Sequence, residues 1–474
     1  MADNPIHFGT SGWRAIIADQ FTFANVRLAV TAIAQHVCDG GRSPVLLLGH
    51  DRRFLSEEFS QLASGILRAH GVGVLFADAP TPTPTLAYEI LRRKTDGAIN
   101  FTASHNPAEY HGLKFSAADG GPALPEVTQD IEARAAKLAQ SGFGSAQSTT
   151  TRENPAPAKM IDPRAPYLAR LRELVRFPIL REAKLKVVCD LLHGCAAGYL
   201  DRILAEEGIE SSALRTDRDV LFDGHGPDVS EENLQPLSQA VRDRKASVGL
   251  ATDGDADRFG IIDSDGTFLS PNHILALVYD YLVESRGWRL GAARSVATTH
   301  LIDAVARFHG LPIHETPVGF KYIGEFIKQD VIALGGEESA GLTIRGHVPE
   351  KDGILAGLLV AEMVAARRAS LAEQLKTLFK KVGKEFWPIR ENLQLSDEVK
   401  ARTVARLKED IKVFEGRPVS SLDRTDGLQM IFADGSWVLL RLSGTEPLLR
   451  VYAEAATPQE SRQLVADADK WIAA

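Results

Sequence analysis

Four short stretches of this 474-residue chain set reactive side chains on loop-forming sequence. The first is Asn100-Phe101-Thr102-Ala103-Ser104-His105-Asn106-Pro107, directly after the apolar run Gly97-Ala98-Ile99. That run reads as the end of a buried strand. Pro107 fixes its own φ and pushes Asn106 out of the helical region. A hydroxyl on a tight loop at the carboxyl end of a strand is well placed for chemistry, because open α/β sheets bind ligands there. Ser104 is the candidate covalent group, although the same composition also suits an ordinary polar turn.

The second stretch, Ala251-Thr252-Asp253-Gly254-Asp255-Ala256-Asp257-Arg258, is the strongest local signal. In an extended segment, residues two apart point the same way, so the three carboxylates would converge on one point. Uncompensated, they repel. A hard divalent cation resolves this, and all-oxygen ligands favour Mg²⁺ or Ca²⁺. The EF-hand pattern fails, since Arg258 and Ser264 stand where that loop needs Gly and Glu. A solvated acidic turn is the simpler alternative.

The third stretch, Gly335-Gly336-Glu337-Glu338-Ser339-Ala340-Gly341, carries two carboxylates and a hydroxyl that suit the hydroxyls of a sugar ring. The fourth, Arg441-Leu442-Ser443-Gly444-Thr445-Glu446-Pro447, can build a nest of donors around a phosphate. Each is also compatible with a plain polar loop. Gly9-Thr10-Ser11-Gly12-Trp13-Arg14 is similarly rich in donors. No Walker loop and no G-x-G-x-x-G follows a strand, which disfavours nucleotide binding.

These loops need a scaffold, and the pattern supplies one. Residues 5–140 alternate strand (44–49, 73–76, 97–102) with helix (56–70, 84–93), the βαβ order of a mostly parallel sheet. The Pro-, Gly- and Ser-rich stretch 141–166 reads as a surface linker. A second unit has strands at 186–190 and 248–251, with helices at 198–207 and 233–244. A third has helices at 272–286, 321–328 and 354–367 and strands at 295–298, 311–315 and 331–335. From about 371 come two helices (372–382, 396–411), three hairpin-ordered strands (428–432, 436–442, 448–454) and a closing helix at 458–472. The implied domains are 1–150, 151–263, 264–370 and 371–474.

Composition bounds the remaining classes. A 44% hydrophobic, 24% charged chain is an ordinary globular protein with ample core. The net charge of −8 is spread along the chain without a basic run, which argues against nucleic acid. Three scattered cysteines, Cys38, Cys189 and Cys195, suit free thiols in a reducing compartment. The first eight residues show no signal-peptide pattern and no run approaches a membrane span, so the expected location is the cytoplasm.

Together the four loops, in this order, resemble the α-D-phosphohexomutase superfamily of phosphoglucomutases and phosphomannomutases, over the whole chain. The resemblance implies four domains around a central cleft, three related α/β mixed-sheet domains followed by a smaller α+β domain. It implies that Ser104 carries a phosphoryl group with His105 beside it. Asp253, Asp255 and Asp257 would hold Mg²⁺ with the phosphoserine at Ser104, and Arg258 would lie nearby. Lys114 and Arg14 match positions associated with proton transfer. Glu337 and Ser339 would grip sugar hydroxyls, Lys321 resembles a ligand-contacting position, and Arg441, Ser443, Gly444 and Thr445 would hold the unreactive phosphate. The implied reaction interconverts hexose 1- and 6-phosphates through glucose 1,6-bisphosphate, by a monomer or homodimer. The sequence around Glu338 looks most like glucose-preferring members, since a His near Ala340-Gly341 is lacking; a dual glucose/mannose enzyme is the alternative. A rival is Ile261-Ile262-Asp263-Ser264-Asp265-Gly266-Thr267, which resembles the aspartyl-nucleophile motif of haloacid dehalogenase phosphatases but equally suits a hairpin turning at Asp265-Gly266. A non-catalytic sugar-phosphate sensor would be expected to lack Ser104 or the aspartates.

Overall fold

The computed structural model describes residues 6–39, 43–141, 156–442 and 448–473. Four sheets follow one another along the chain. The first runs Phe8–Gly9, Gly12–Ile16, Tyr110–Ala117, Gly97–Phe101, Val45–His50, Gly73–Ala77, Lys159–Ile161 in spatial order. Strands from Gly97–Phe101 outward to Lys159–Ile161 are parallel, and Tyr110–Ala117 and Gly12–Ile16 join antiparallel. The apolar run of Val45–His50 is explained by burial on both faces. Leu46 and Leu48 pack towards Val30 and Phe59, on the helices Phe23–Cys38 and Ser56–Ala69. Leu47, between them, packs on Leu86 and Ile90 of the helix Thr83–Arg93. The stretch 141–166 is not wholly linker, because Lys159–Ile161 forms an edge strand beside Gly73–Ala77. Three residues among prolines carry no periodicity; the waiting sheet edge recruits them.

The second sheet orders as Phe268–Leu269, Phe259–Asp263, Val248–Thr252, Lys186–Asp190, Glu210–Leu214. The third orders as Ile313–Thr316, Gly291–Ser295, Ile332–Glu337, Gly341–Ile344. One apolar core runs through both units, joining Val187, Leu250 and Ile261 to Leu275, Leu334 and Leu358. The expected strand at 295–298 lies earlier, at Gly291–Ser295, where Arg294 is neutralised by Asp303 and Glu315. The helix Leu371–Val382, expected with the tail, packs on the third unit, with Leu371, Leu375, Leu378 and Phe379 in the shared core.

The last sheet is antiparallel: Trp387–Gln394, Leu448–Ala455, Trp437–Leu442, Leu428–Phe432, Arg417–Asp423, Val413–Phe414. Only three of these strands were expected. Trp387–Gln394 escapes a pattern search because it is an edge strand in which apolar and polar residues come in blocks and do not alternate. This unit sits on the third through Glu454, which accepts from His300 N (3.0 Å), Trp437 Nε1 (2.9 Å) and the Thr299 hydroxyl. The three cysteines form no disulfide. No helix among the described residues is long and apolar enough to cross a membrane.

Candidate active site

Strands Val45–His50 and Gly97–Phe101 are parallel neighbours, so the loops after them emerge side by side. Ser104 lies in the second loop with a left-handed φ of 53°. That conformation is uncommon for a residue with a Cβ and collects at functional sites. It is held from several sides. Ser104 N donates to Thr102 Oγ1 at 2.9 Å, and Arg53 from the neighbouring loop donates to the Ser104 carbonyl at 2.7 Å. Ser104 Oγ is buried and donates to Asp253 Oδ2 at 2.6 Å.

Asp253, Asp255 and Asp257 lie in the loop between Val248–Thr252 and Phe259–Asp263, all three buried, with oxygens within 4.8 Å of one another. The expected convergence holds but its cause differs. The segment is a turn, with Ala256 at φ 60°, and not an extended strand. Gly254 is what lets this loop meet the serine loop, since a Cβ there would stand 2.6 Å from the Ser104 carbonyl oxygen. Lys114, on the strand Tyr110–Ala117, donates to Asp255 Oδ2 (2.6 Å) and Asp257 Oδ2 (2.7 Å). Lys351 adds a second ammonium 3.2 Å from Asp257 Oδ2.

The electrostatics are those of a site built for more positive charge. Burial, then Asp255 and Asp257, push Asp253 well above the usual carboxylate range. Burial also works against ionised Asp257, but Lys114, Lys351 and Arg258 outweigh it and hold that group low. Burial likewise opposes the Lys114 ammonium; Asp255 and Asp257 prevail and raise its pKa. Asp255 Oδ1 and Asp257 Oδ1 are buried without a hydrogen-bond partner. Two orphaned oxygens in an all-oxygen cluster fit a hard divalent cation. The other two acid–histidine groupings differ. His193 pairs with Asp223 at 3.2 Å beside Asp219, while Asp280 and Glu284 near His309 are answered by Arg367 and Lys381.

A cleft of about 360 Å³ opens beside these loops, lined by residues of all four units. Arg14, His105, Arg258, Glu337 and Ser339, singled out in the sequence, all face it. Arg14 donates to Asn106 Oδ1 at 2.7 Å, and burial followed by Arg258 lowers its pKa to about 10. His105 is held well below the usual histidine range by burial, then by Arg258 and Arg14, and its Nδ1 has no hydrogen-bond partner. The loop 337–341 turns back between Ile332–Glu337 and Gly341–Ile344, and Gly341 bridges to Arg258. Glu337 accepts from Gly319 N at 2.7 Å; burial, then Glu338, raises its pKa to about 7. Glu338 is fixed by the Ser295 and Thr298 hydroxyls at 3.1 and 3.2 Å.

Lys321 and Arg441 reach neither the carboxylate cluster nor the cleft. Lys321 does not line it, and its ammonium sits 5.4 Å over the Tyr322 ring. Arg441 donates to Asp426 Oδ2 at 2.8 Å, and Asp426 also accepts from Val318 N, so this arginine ties the last unit to the third. Ser443, Gly444 and Thr445 fall outside the described residues. Asp263, the rival nucleophile, caps a helix: it accepts from Leu371 N (3.0 Å), Ala372 N (2.9 Å) and Ser264 N (2.7 Å).

Sequence reasoning missed five residues. Arg53 grips the serine loop, Glu350 and Lys351 face Lys114 and Asp257, and Arg390 and Arg450 line the cleft from the last unit. A charged triplet, Asp51-Arg52-Arg53, at the carboxyl end of a buried strand was a usable signal. So was Glu350-Lys351-Asp352 before an apolar helix. Arg390 stands in a strand without alternation and Arg450 in the mostly apolar strand Leu448–Ala455, and neither gave a signal.

Family models cover this chain in order. Phosphoglucomutase/phosphomannomutase alpha/beta/alpha domain I matches residues 5–141, domain II 165–266, domain III 270–382, and the C-terminal domain 391–470. The chain belongs to the phosphoglucomutase/phosphomannomutase family. Members of this family are mutase enzymes, and this chain carries the four domains of its models in order. A phosphoglucomutase of Komagataeibacter xylinus is 30% identical over 96% of this chain and 88% of its own. A phosphoglucomutase/phosphomannomutase of Thermococcus kodakarensis is 28% identical over 96% of each. A crystal structure from Thermus thermophilus, provisionally assigned as a phosphomannomutase, aligns over 99% of both chains with a TM-score of 0.85 and 31% identity. The names of these relatives span glucose and mannose phosphates.

Proposed function

We propose that this phosphohexomutase interconverts α-D-glucose 1-phosphate and glucose 6-phosphate, with Ser104 as the phosphoryl carrier. The observation that carries the reading is the Ser104 hydroxyl, on a left-handed turn, 2.6 Å from Asp253 in a three-carboxylate cluster. Asp253, Asp255 and Asp257, with the phosphorylated Ser104, would hold Mg²⁺. The ion would supply positive charge against the phosphoryl oxygens. In the forward half-reaction the sugar 6-hydroxyl oxygen bonds to the phosphoserine phosphorus and the bond from phosphorus to Ser104 Oγ breaks. The hydroxyl proton leaves the sugar oxygen as it bonds to phosphorus and ends on Ser104 Oγ as that bond breaks. The resulting 1,6-bisphosphate turns over in the cleft and returns its 1-phosphoryl group to Ser104, while the 1-oxygen takes the proton back. Lys114, bonded to Asp255 and Asp257, offsets anionic charge at the cluster. Arg14, Arg258, Lys351, Arg390 and Arg450 give a net-acidic protein the local cationic surface that a bisphosphate needs.

Glu337 and Ser339 are the proposed readers of the sugar hydroxyls, and they set a pH dependence. With a pKa near 7, Glu337 is protonated below neutrality and ionised above it. Only the ionised form accepts freely from sugar hydroxyls. KM for glucose 1-phosphate therefore falls as pH rises from about 6 to about 8. Glu337→Gln removes that step and raises KM mainly above neutrality, where the wild-type group is ionised. An unchanged pH profile in Glu337→Gln contradicts the assignment.

A dual glucose/mannose enzyme is the second reading, favoured by the breadth of the relatives' names. A phosphorus NMR time course decides between them. The tube holds enzyme, Mg²⁺, a trace of glucose 1,6-bisphosphate, and equal glucose and mannose 1-phosphates. Glucose 6-phosphate appearing well ahead of mannose 6-phosphate is the expected result. Equal conversion makes the enzyme dual, and inorganic phosphate without 6-phosphates points to hydrolysis.

A further inference from the structure

We infer that Arg53 is a positioning residue for phosphoryl transfer, holding the Ser104 loop in the one conformation that aims Oγ at the carboxylate cluster. The inference rests on Ser104 being the phosphoryl carrier. Arg53 is completely enclosed, and a buried guanidinium is rare unless it is paired. Its Nη2 donates to the carbonyls of Ser104 (2.7 Å) and Asn106 (2.5 Å). Its Nη1 donates to those of Pro107 (2.8 Å) and Tyr110 (3.1 Å). Four carbonyls of one loop thus converge on one planar cation. Without it their dipoles would oppose one another in a dry pocket with fewer donors to answer them, although the Pro107 carbonyl would keep Tyr110 N at 3.1 Å.

The grip is itself held. Asp51 Oδ2 lies 3.2 Å from Arg53 Nε, and Asp51 Oδ1 accepts from Arg53 N and from Ser56 Oγ. Phe222 of the second unit covers the guanidinium at 5.0 Å, and Arg218 donates to the Arg53 carbonyl at 3.0 Å. The loop that Arg53 fixes carries Ser104 at φ 53° and presents the Asn106 side chain to Arg14 in the cleft. Reactive hydroxyl, cleft arginine and second unit are therefore set by one side chain that lines no part of the cleft. Lysine cannot substitute in full, because a single ammonium lacks the fork that spans four acceptors.

The test uses full-length Arg53→Lys and Arg53→Met with steady-state kinetics and hydrogen–deuterium exchange. In Arg53→Lys, kcat falls by about 10²-fold, the cost of a small misplacement of the reacting group. KM for hexose 1-phosphate changes less, within about fivefold, since of the cleft residues only His105, Asn106 and Tyr110 ride on the held segment and Arg258, Glu337, Ser339, Lys351, Arg390 and Arg450 lie on other loops. Exchange accelerates at least about tenfold in 102–110 and stays at the wild-type rate in 45–50 and 97–101. Arg53→Met shows a larger kcat loss; if it does not fold, Arg53→Lys decides. Wild-type kcat in Arg53→Lys overturns the inference. So does exchange rising throughout the first sheet with kcat and KM degrading together, the mark of a merely structural residue. If the wild-type protein turns over no hexose phosphate, the mutase reading fails by itself. The exchange pattern then still supports the hold on the loop if confined to 102–110, or overturns it if spread.

Discussion

Ser104→Ala lowers mutase turnover by on the order of 10⁴-fold or more, with little change in thermal stability. The size follows from the chemistry. A covalent carrier splits one transfer into two, and no neighbouring group can take its place. Thr102 Oγ1 is occupied by Ser104 N, and the nearest oxygens are the cluster carboxylates. Stability is spared because the Ser104 hydroxyl makes one hydrogen bond, and that bond is to a crowded carboxylate it slightly relieves. Steady-state assay with glucose 1-phosphate checks the first half, and thermal unfolding the second. Asp263→Asn is the contrasting variant. It weakens a helix cap by about 1 kcal/mol and leaves turnover within about threefold, whereas an aspartyl phosphatase would lose activity there and keep it in Ser104→Ala.

Asp255→Asn is the second large effect, with turnover reduced by on the order of 10³-fold and excess chelator reproducing the loss in the wild-type enzyme. Asp255 is bonded to Lys114 and Thr83 through Oδ2, while Oδ1 is buried with no hydrogen-bond partner. Asparagine keeps the volume but removes a full charge and turns half of the group into a donor. The remaining site faces Lys114 and Lys351 with too little negative charge to attract a divalent ion. Mg²⁺ added after the chelator restores wild-type activity and leaves Asp255→Asn impaired. Full wild-type activity in excess chelator contradicts the metal assignment.

The chemistry of the loops was more legible than their geometry. Ser104, the three aspartates and Glu337 stand in runs that each also suit a polar turn, and it is the four runs in this order that point to chemistry. Their convergence depends on contacts no local pattern encodes. The aspartates meet through a turn with Ala256 at positive φ, where strand alternation was expected to align them. Lys114 reads as one charge in an apolar strand until Asp255 and Asp257 are set against it. The βαβ units were visible because parallel strands buried on both faces are continuous apolar runs, as in Leu46-Leu47-Leu48. Edge strands were not: Lys159–Ile161 and Trp387–Gln394 owe their pairing to a neighbour. Arg53 shows the same limit at the site. Its sequence neighbours suggest a surface charge, yet it is wholly buried against the carbonyls of a loop some fifty residues away.

The central claim, a phosphoryl group that resides on Ser104 and is handed to the sugar, is tested most directly by mass spectrometry of the intact protein through one turnover. Wild-type enzyme with glucose 1,6-bisphosphate and Mg²⁺ gains the mass of one phosphoryl group, which fragmentation locates at Ser104. Glucose 1-phosphate carrying ¹⁸O in its phosphoryl group then exchanges it: within one turnover the unlabelled group leaves Ser104 for the sugar and the heavier ¹⁸O-labelled group takes its place on Ser104. A phosphoryl group on Asp263, or turnover by an enzyme that never acquires one at Ser104, contradicts the account.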